Sequence, residues 1–259
     1  MKRRKFISSS ALAVSAAGIG FALPEQKQDV LKKEFYEWRE YEIRFRSSSA
    51  DLDNYFQKAL LPALNKMGVK NIGVFREIGK SEPAKIYLLI AYPGLADYAD
   101  INFSLKTEPD FLKASADYTA VPPEKAIYTR YSSSFFFAFD KLPALEKPAS
   151  ETRIFEWRNY EGHNEDAVNR KMGMFNKEEI DIFYKSKLKP VFFGEMLSGS
   201  NMPSLAYMVV FKDMAERDAV WATFGADPDW KRISQAPEYA NTVSKIIRIF
   251  LEPLPYSQI

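Results

Sequence analysis

The sequence predicts an α+β fold of two tandem β-α-β-β-α-β repeats, each giving a four-stranded antiparallel sheet with helices on one face. Two repeated motifs and their common spacing carry this prediction. Phe35-Tyr36-Glu37-Trp38-Arg39-Glu40-Tyr41-Glu42 returns as Ile154-Phe155-Glu156-Trp157-Arg158-Asn159-Tyr160-Glu161. Glu108-Pro109-Asp110-Phe111 returns as Asp227-Pro228-Asp229-Trp230. The spacings agree, since 156 − 37 and 229 − 110 are both 119, so one duplicated unit fills most of the 259 residues.

Each repeat opens on a strand. Residues 36–46 alternate polar with aromatic and β-branched side chains, the two-residue period of a sheet. Ser47 to Asp51 is a turn that carries helix-capping residues. Leu52, Tyr55, Phe56, Ala59, Leu60 and Leu64 then recur every three or four residues, an amphipathic helix that ends at Gly68. Strands follow at 72–78 and 85–92, separated by a turn from Gly79 to Pro83. A second helix covers 95–107, the Pro109 segment begins a short extra helix, and residues 127–139 supply the last strand. The second repeat reads in the same order at 153–161, 177–189, 191–196, 205–211, 214–224 and 245–251. Its first helix aligns with a slip of one residue. The connector 142–150, with Pro143 and Pro148, is the natural boundary between domains at 35–140 and 153–252. A sheet with an apolar second face must bury it, and two such sheets in one chain can cover each other as a fused pseudo-dimer.

Composition narrows the function classes. Lys+Arg number 36 and Asp+Glu 34, a formal charge of +2, and much of the excess lies in Lys2, Arg3, Arg4 and Lys5. Nucleic-acid binding, which needs a clustered cationic face, is not expected. The absence of cysteine excludes disulfides, thiolate nucleophiles and Cys-ligated metals. No HExxH, paired-histidine or EF-hand spacing appears, so neither metal nor cofactor is expected. No Walker A, dinucleotide fingerprint or nucleophile elbow is present either.

Residues 1–22 read as a signal peptide: a charged start, an uncharged Ala/Ser/Gly-rich stretch, and small residues before a cleavage point after Ala22. Arg3-Arg4-Lys5-Phe6-Ile7 resembles a twin-arginine export signal, with Lys2 and Ser8 departing from the usual pattern. The stretch is too weakly apolar for a permanent membrane helix. A periplasmic or secreted protein is expected.

Glu-x-Arg-x-Tyr on the first strand, a Gly-Val-Phe-like second strand and the Asp-Pro-x-Trp box after the second helix together resemble the NIPSNAP family. The second repeat is the closer match, because the first has Glu108 and Phe111 in the box. The resemblance implies the dimeric α/β-barrel form of the ferredoxin-like fold, here formed within one chain, with a small-molecule cavity between its sheets. It implies no established reaction.

Alternation places Glu37, Arg39 and Tyr41 on one strand face, and Glu156, Arg158 and Tyr160 on its counterpart. An arginine between an acid and a phenol could bind a carboxylate or polarise a carbonyl. The same residues also make a structural ion pair, and their presence in both copies suits that role. Trp221, on the second helix of repeat two, stands where repeat one has Asn102. It joins these six residues as a ligand-binding candidate, while Trp221, Tyr98 and Phe103 also read as core aromatics. Asp227-Pro228-Asp229 reads as an N-cap, a first-turn proline and a dipole-matched acid, with Trp230 docking the helix. His163, the sole histidine, reads as an exposed loop residue. No catalytic residue is assigned.

Three functions stay open. One is an exported, non-catalytic module binding a small apolar or carboxylated molecule between its sheets. Another is a cofactor-independent monooxygenase or isomerase of the barrel type. The third is a structural or interaction protein whose sheet interface is fully packed. A homo-oligomer is compatible with each.

Overall fold

A computed structural model describes residues 33–45, 47–79, 82–149 and 153–259. The expected signal segment lies outside them. The strands are β1 (Phe35–Ile43), β2 (Ile72–Glu77), β3 (Lys85–Tyr92), β4 (Tyr128–Ala138), β5 (Ile154–Glu161), β6 (Lys189–Ser198), β7 (Ser204–Phe211) and β8 (Lys245–Pro253). All pair antiparallel and close into one barrel in the order β1-β3-β2-β8-β5-β7-β6-β4. Two seams join the repeats. At one, Phe75 of β2 faces Pro253 and Glu77 faces Leu251 of β8. At the other, Phe136 of β4 faces Met196 and Ala138 faces Gly194 of β6. Gly194 is required there, because a Cβ at that position would lie 2.6 Å from Phe136 Cβ. Closure leaves no barrel edge free for pairing with another chain. Both repeats accordingly belong to one compact unit.

Tyr36, Trp38, Phe155 and Trp157 point into the barrel, where they pack with Phe75, Phe136 and Phe192. Trp38 and Trp157 stack with centroids 4.0 Å apart, and Tyr87 stacks behind Trp38 at 5.1 Å. The cavity expected between the sheets is therefore corrected: large aromatic side chains from both repeats occupy that space. The packed interface of the third reading is what the barrel shows. The Glu-Arg-Tyr faces lie on the opposite side, beneath the helices.

Each repeat covers its outer sheet face with a long first helix, 50–66 and 165–185, interrupted by a π-helical turn at Phe56–Leu60 and Phe175–Glu179. The expected helix at 177–189 begins earlier, at Glu165, where Asn164 accepts from the Ala167 amide at 2.9 Å. It also ends earlier, at Lys185. The expected one-residue slip is absent: Phe56 and Phe175 differ by 119, as do Gly68 (φ 97°) and Lys187 (φ 66°) at the helix ends. Lys187 thus holds a left-handed conformation that repeat one assigns to glycine.

The acidic boxes act as caps. Asp227 accepts from the Asp229 and Trp230 amides at 2.8 and 3.3 Å, and Glu108 accepts from the Phe111 amide at 2.5 Å. Lys185 bridges Asp227 and Asp229, as Lys66 bridges Glu108 and Asp110. Trp230 docks on Phe224 with centroids 4.5 Å apart. His163 is exposed. Phe103 corrects the core expectation: it is 68% exposed, because Tyr98, Ile101, Asn102 and Leu105 take the sheet-facing side of the Leu95–Leu105 helix.

Candidate functional site

The two outer faces are built on one plan but filled differently. In the first repeat, Arg39 donates from Nε and Nη2 to the two Glu37 oxygens at 2.6 and 2.9 Å. Ser133 of β4 and Tyr92 of β3 also donate to Glu37, at 2.7 and 3.0 Å. Asn102 touches both Arg39 and Tyr92. One buried cation meets one buried anion, and neutral groups take the remaining bonds. Burial works against the charge on Arg39, yet Glu37 outweighs it and holds the guanidinium well above its usual range. Tyr41 stacks on the exposed Tyr131 at 4.9 Å and meets Tyr128 edge-on.

In the second repeat the same carboxylate is surrounded by cations. Glu156 is fully buried. Arg158 reaches it at 2.6 Å, Arg217 of the Met214–Ala226 helix at 2.9 Å, and the Trp221 indole N–H at 3.0 Å. Burial pushes the Glu156 carboxyl up, but Arg217, Arg158 and Trp221 outweigh it and hold it below the usual carboxylate range. The Arg158 guanidinium lies over the Trp221 ring at 4.0 Å, an amino–aromatic contact. Arg158 also donates to the Tyr160 hydroxyl at 3.2 Å, which bonds Tyr207 at 2.9 Å.

Arg248 completes the group. It lies directly opposite Arg158 in the β5–β8 register, where the first repeat sets Ser133 opposite Arg39. Arg248 is exposed and has no ion-pair partner among the described residues. Its guanidinium and that of Arg217 both flank the Phe250 ring, at 5.6 and 5.4 Å. Arg217 has a second acid, the exposed Asp218, at 2.7 Å. Like charges directly opposite on paired strands repel unless an anion intervenes. No group of three acidic or histidine side chains among the described residues is placed to hold a metal ion.

The NIPSNAP family profile matches residues 155–258. The second repeat is a NIPSNAP domain. Whole-barrel likeness extends to a protein from Fusobacterium nucleatum provisionally named a monooxygenase, with a TM-score of 0.56, 13% identity, 86% of this chain and 94% of that one. A protein from Lactobacillus acidophilus with the same provisional name has a TM-score of 0.56, 10% identity, 85% of this chain and 94% of that one. At these identities the likeness establishes the fold: one chain forming a dimeric α/β barrel. A NIPSNAP-like domain protein from Burkholderia xenovorans is similar over 41% of this chain and 90% of its own, at 17% identity and a TM-score of 0.37. No curated protein matches the chain.

The NIPSNAP domain therefore brings Glu156, Arg158, Tyr160 and Trp221 into one cluster, and the first repeat gathers Glu37, Arg39 and, one contact away, Tyr41. The clusters lie on opposite outer faces and share no contact. Sequence reasoning missed Arg217, Arg248 and Tyr207 in the NIPSNAP domain, and Ser133 and Tyr92 in the first repeat. Arg217 had a legible signal, since Trp221 at i+4 on the same helix puts both over one strand. It also missed Lys171 and Glu179, a buried pair 2.6 Å apart beneath Trp230.

Proposed function

We propose that the protein is a non-catalytic binding module that holds a small carboxylated molecule on the outer face of its NIPSNAP domain. One observation carries this reading: two guanidinium groups, Arg158 and Arg217, hold the buried carboxylate of Glu156, and a third, Arg248, lies opposite Arg158 in the strand register, against one for one in the first repeat. A ligand carboxylate beside Arg248 would relieve the repulsion between Arg248 and Arg158, with bidentate geometry available from the planar guanidinium. Trp221 and Phe250 offer ring faces for an apolar or aromatic body. The proton chemistry supports binding without turnover. Glu156 is held ionised by its donors, and burial raises the Tyr207 phenol well above its usual range. Neither group is tuned for proton transfer near neutral pH.

Native mass spectrometry of the protein purified from its own host tests the reading. A retained organic acid is expected, lost on Arg248→Gln substitution; a retained neutral molecule, or acid retained equally by Arg248→Gln, contradicts it. The charged start of residues 1–22 supports action outside the cytoplasm. Exchange of Arg3 and Arg4 for lysine is expected to block export, and unchanged export would refute the twin-arginine route.

A further inference from the structure

A second basic feature shares no lining residue with the arginine cluster and lies where the connector between the repeats crosses one end of the barrel. The connector is held in place there: the Glu146 amide donates to the Val191 carbonyl at 2.9 Å, and the Leu145 amide to Glu34 at 2.7 Å. Between the connector, the start of β6 and the end of β7 lies a cleft of about 270 Å³. Buried Pro190, Val210 and Phe211 give it an apolar wall. Lys147, Arg153, Lys189 and Lys212 line it with positive charge.

The charges are poorly compensated. Among the described lining residues Glu146 is the one acidic side chain, and the Tyr184 hydroxyl donates to it at 2.7 Å. Lys189 has Glu216 at 3.4 Å. Lys147, Arg153 and Lys212 have no ion-pair partner among the described residues. Arg153 donates to the Ala149 carbonyl and lies over the Phe155 ring at 5.5 Å, while its Nε is buried without a hydrogen-bond partner. Burial lowers its pKa. Lys147 and Arg153 also line an adjoining cleft with Lys70, walled by Asn65 and Gln258, which bond each other at 2.7 and 3.1 Å.

We infer that this joined cleft binds a small, multiply charged phosphate ligand of the diphosphate or phosphate-ester class. Its size suits a small molecule, and its cations converge on one cleft instead of running as the extended stripe a polyanion needs. Several of these cations have no ion-pair partner among the described residues and together match an anion with more than one charge, and the desolvated Arg153 supplies planar donors for phosphate oxygens.

Titration calorimetry of the whole protein with inorganic pyrophosphate at physiological ionic strength tests it. Saturable binding at one site is expected. Lys147→Ala and Lys212→Ala should each weaken it about tenfold, as loss of one charged hydrogen bond implies. Lys231→Ala, a cation outside the cleft, should leave it unchanged. All these side chains are exposed, so thermal melts of the variants should match the parent. Absence of saturable binding, or equal weakening by Lys231→Ala, overturns the inference.

Discussion

Lys171 and Glu179 offer the sharpest energetic test of the duplicated fold. Their charged atoms lie 2.6 Å apart, with Lys171 5% and Glu179 2% exposed. The surroundings are apolar: the Lys171 ammonium lies 4.4 Å from the Phe175 ring centroid and 5.6 Å from that of Trp230. At the equivalent positions, 119 residues earlier, the first repeat has the buried Leu52 and Leu60. One helix frame therefore supports an ion pair in one copy and two leucines in the other. Lys171→Leu alone strands a carboxylate, and Glu179→Leu alone strands an ammonium. Each should cost about 3–5 kcal/mol. The double leucine variant should be neutral or more stable than the parent by about 1–4 kcal/mol, because desolvation of both charges is avoided. Burial already raises the Glu179 pKa against the pull of Lys171. A group raised in the fold is favoured by protonation, so the cost of Lys171→Leu should shrink as pH falls and a neutral carboxyl becomes populated. Urea denaturation at pH 7 and pH 5 reads all four proteins. A double variant as unstable as either single one would refute the reasoning.

Three further outcomes are expected. Glu156→Gln should destabilise by about 3–5 kcal/mol at neutral pH, because Arg158 and Arg217 lose their shared counter-charge. Since the Glu156 pKa is lowered in the fold, that contribution is complete above about 4.5 and is lost as pH falls below it, so the gap between parent and variant should close in acid-titrated denaturation curves. Trp157→Ala, which removes half of the central indole stack, should cost about 3–5 kcal/mol by urea denaturation, and a cost under about 1 kcal/mol would mean the barrel interior is not packed as described. Lys187→Gly should raise stability by up to about 1 kcal/mol in the same assay, because the left-handed helix end strains a side chain.

The order of elements within each repeat and the cap at Asp227 were legible, because each follows from local pattern and from a motif that occurs twice; the barrel formed within one chain was implied by the family resemblance. The direction of the strands' faces was not. In β1 both faces are buried, Tyr36 and Trp38 inside the barrel and Glu37, Arg39 and Tyr41 under the helix, so alternation separates the faces without ranking them. Bulk decides instead: the larger aromatic rings fill the barrel, and the ion pairs sit where Ser133, Tyr92 or Arg217 can satisfy them. The early turns of the 165–185 helix were hidden because Glu165, Asp166, Asn169, Arg170 and Lys171 interrupt its apolar period. Arg248 was hidden differently. Its partner, Arg158, is named only by strand register, and register between β5 and β8 depends on contacts 90 residues apart in sequence.

The central claim is that a guanidinium surplus in the NIPSNAP domain receives a carboxylate. Calorimetric titration with benzoate, compared with its uncharged analogue benzamide, tests it most directly. The account predicts saturable benzoate binding, no benzamide binding, and at least about tenfold weaker benzoate binding in Arg248→Gln, a variant that should melt with the parent because Arg248 is exposed. Equal binding of benzoate and benzamide, or benzoate binding unchanged in Arg248→Gln, would contradict it.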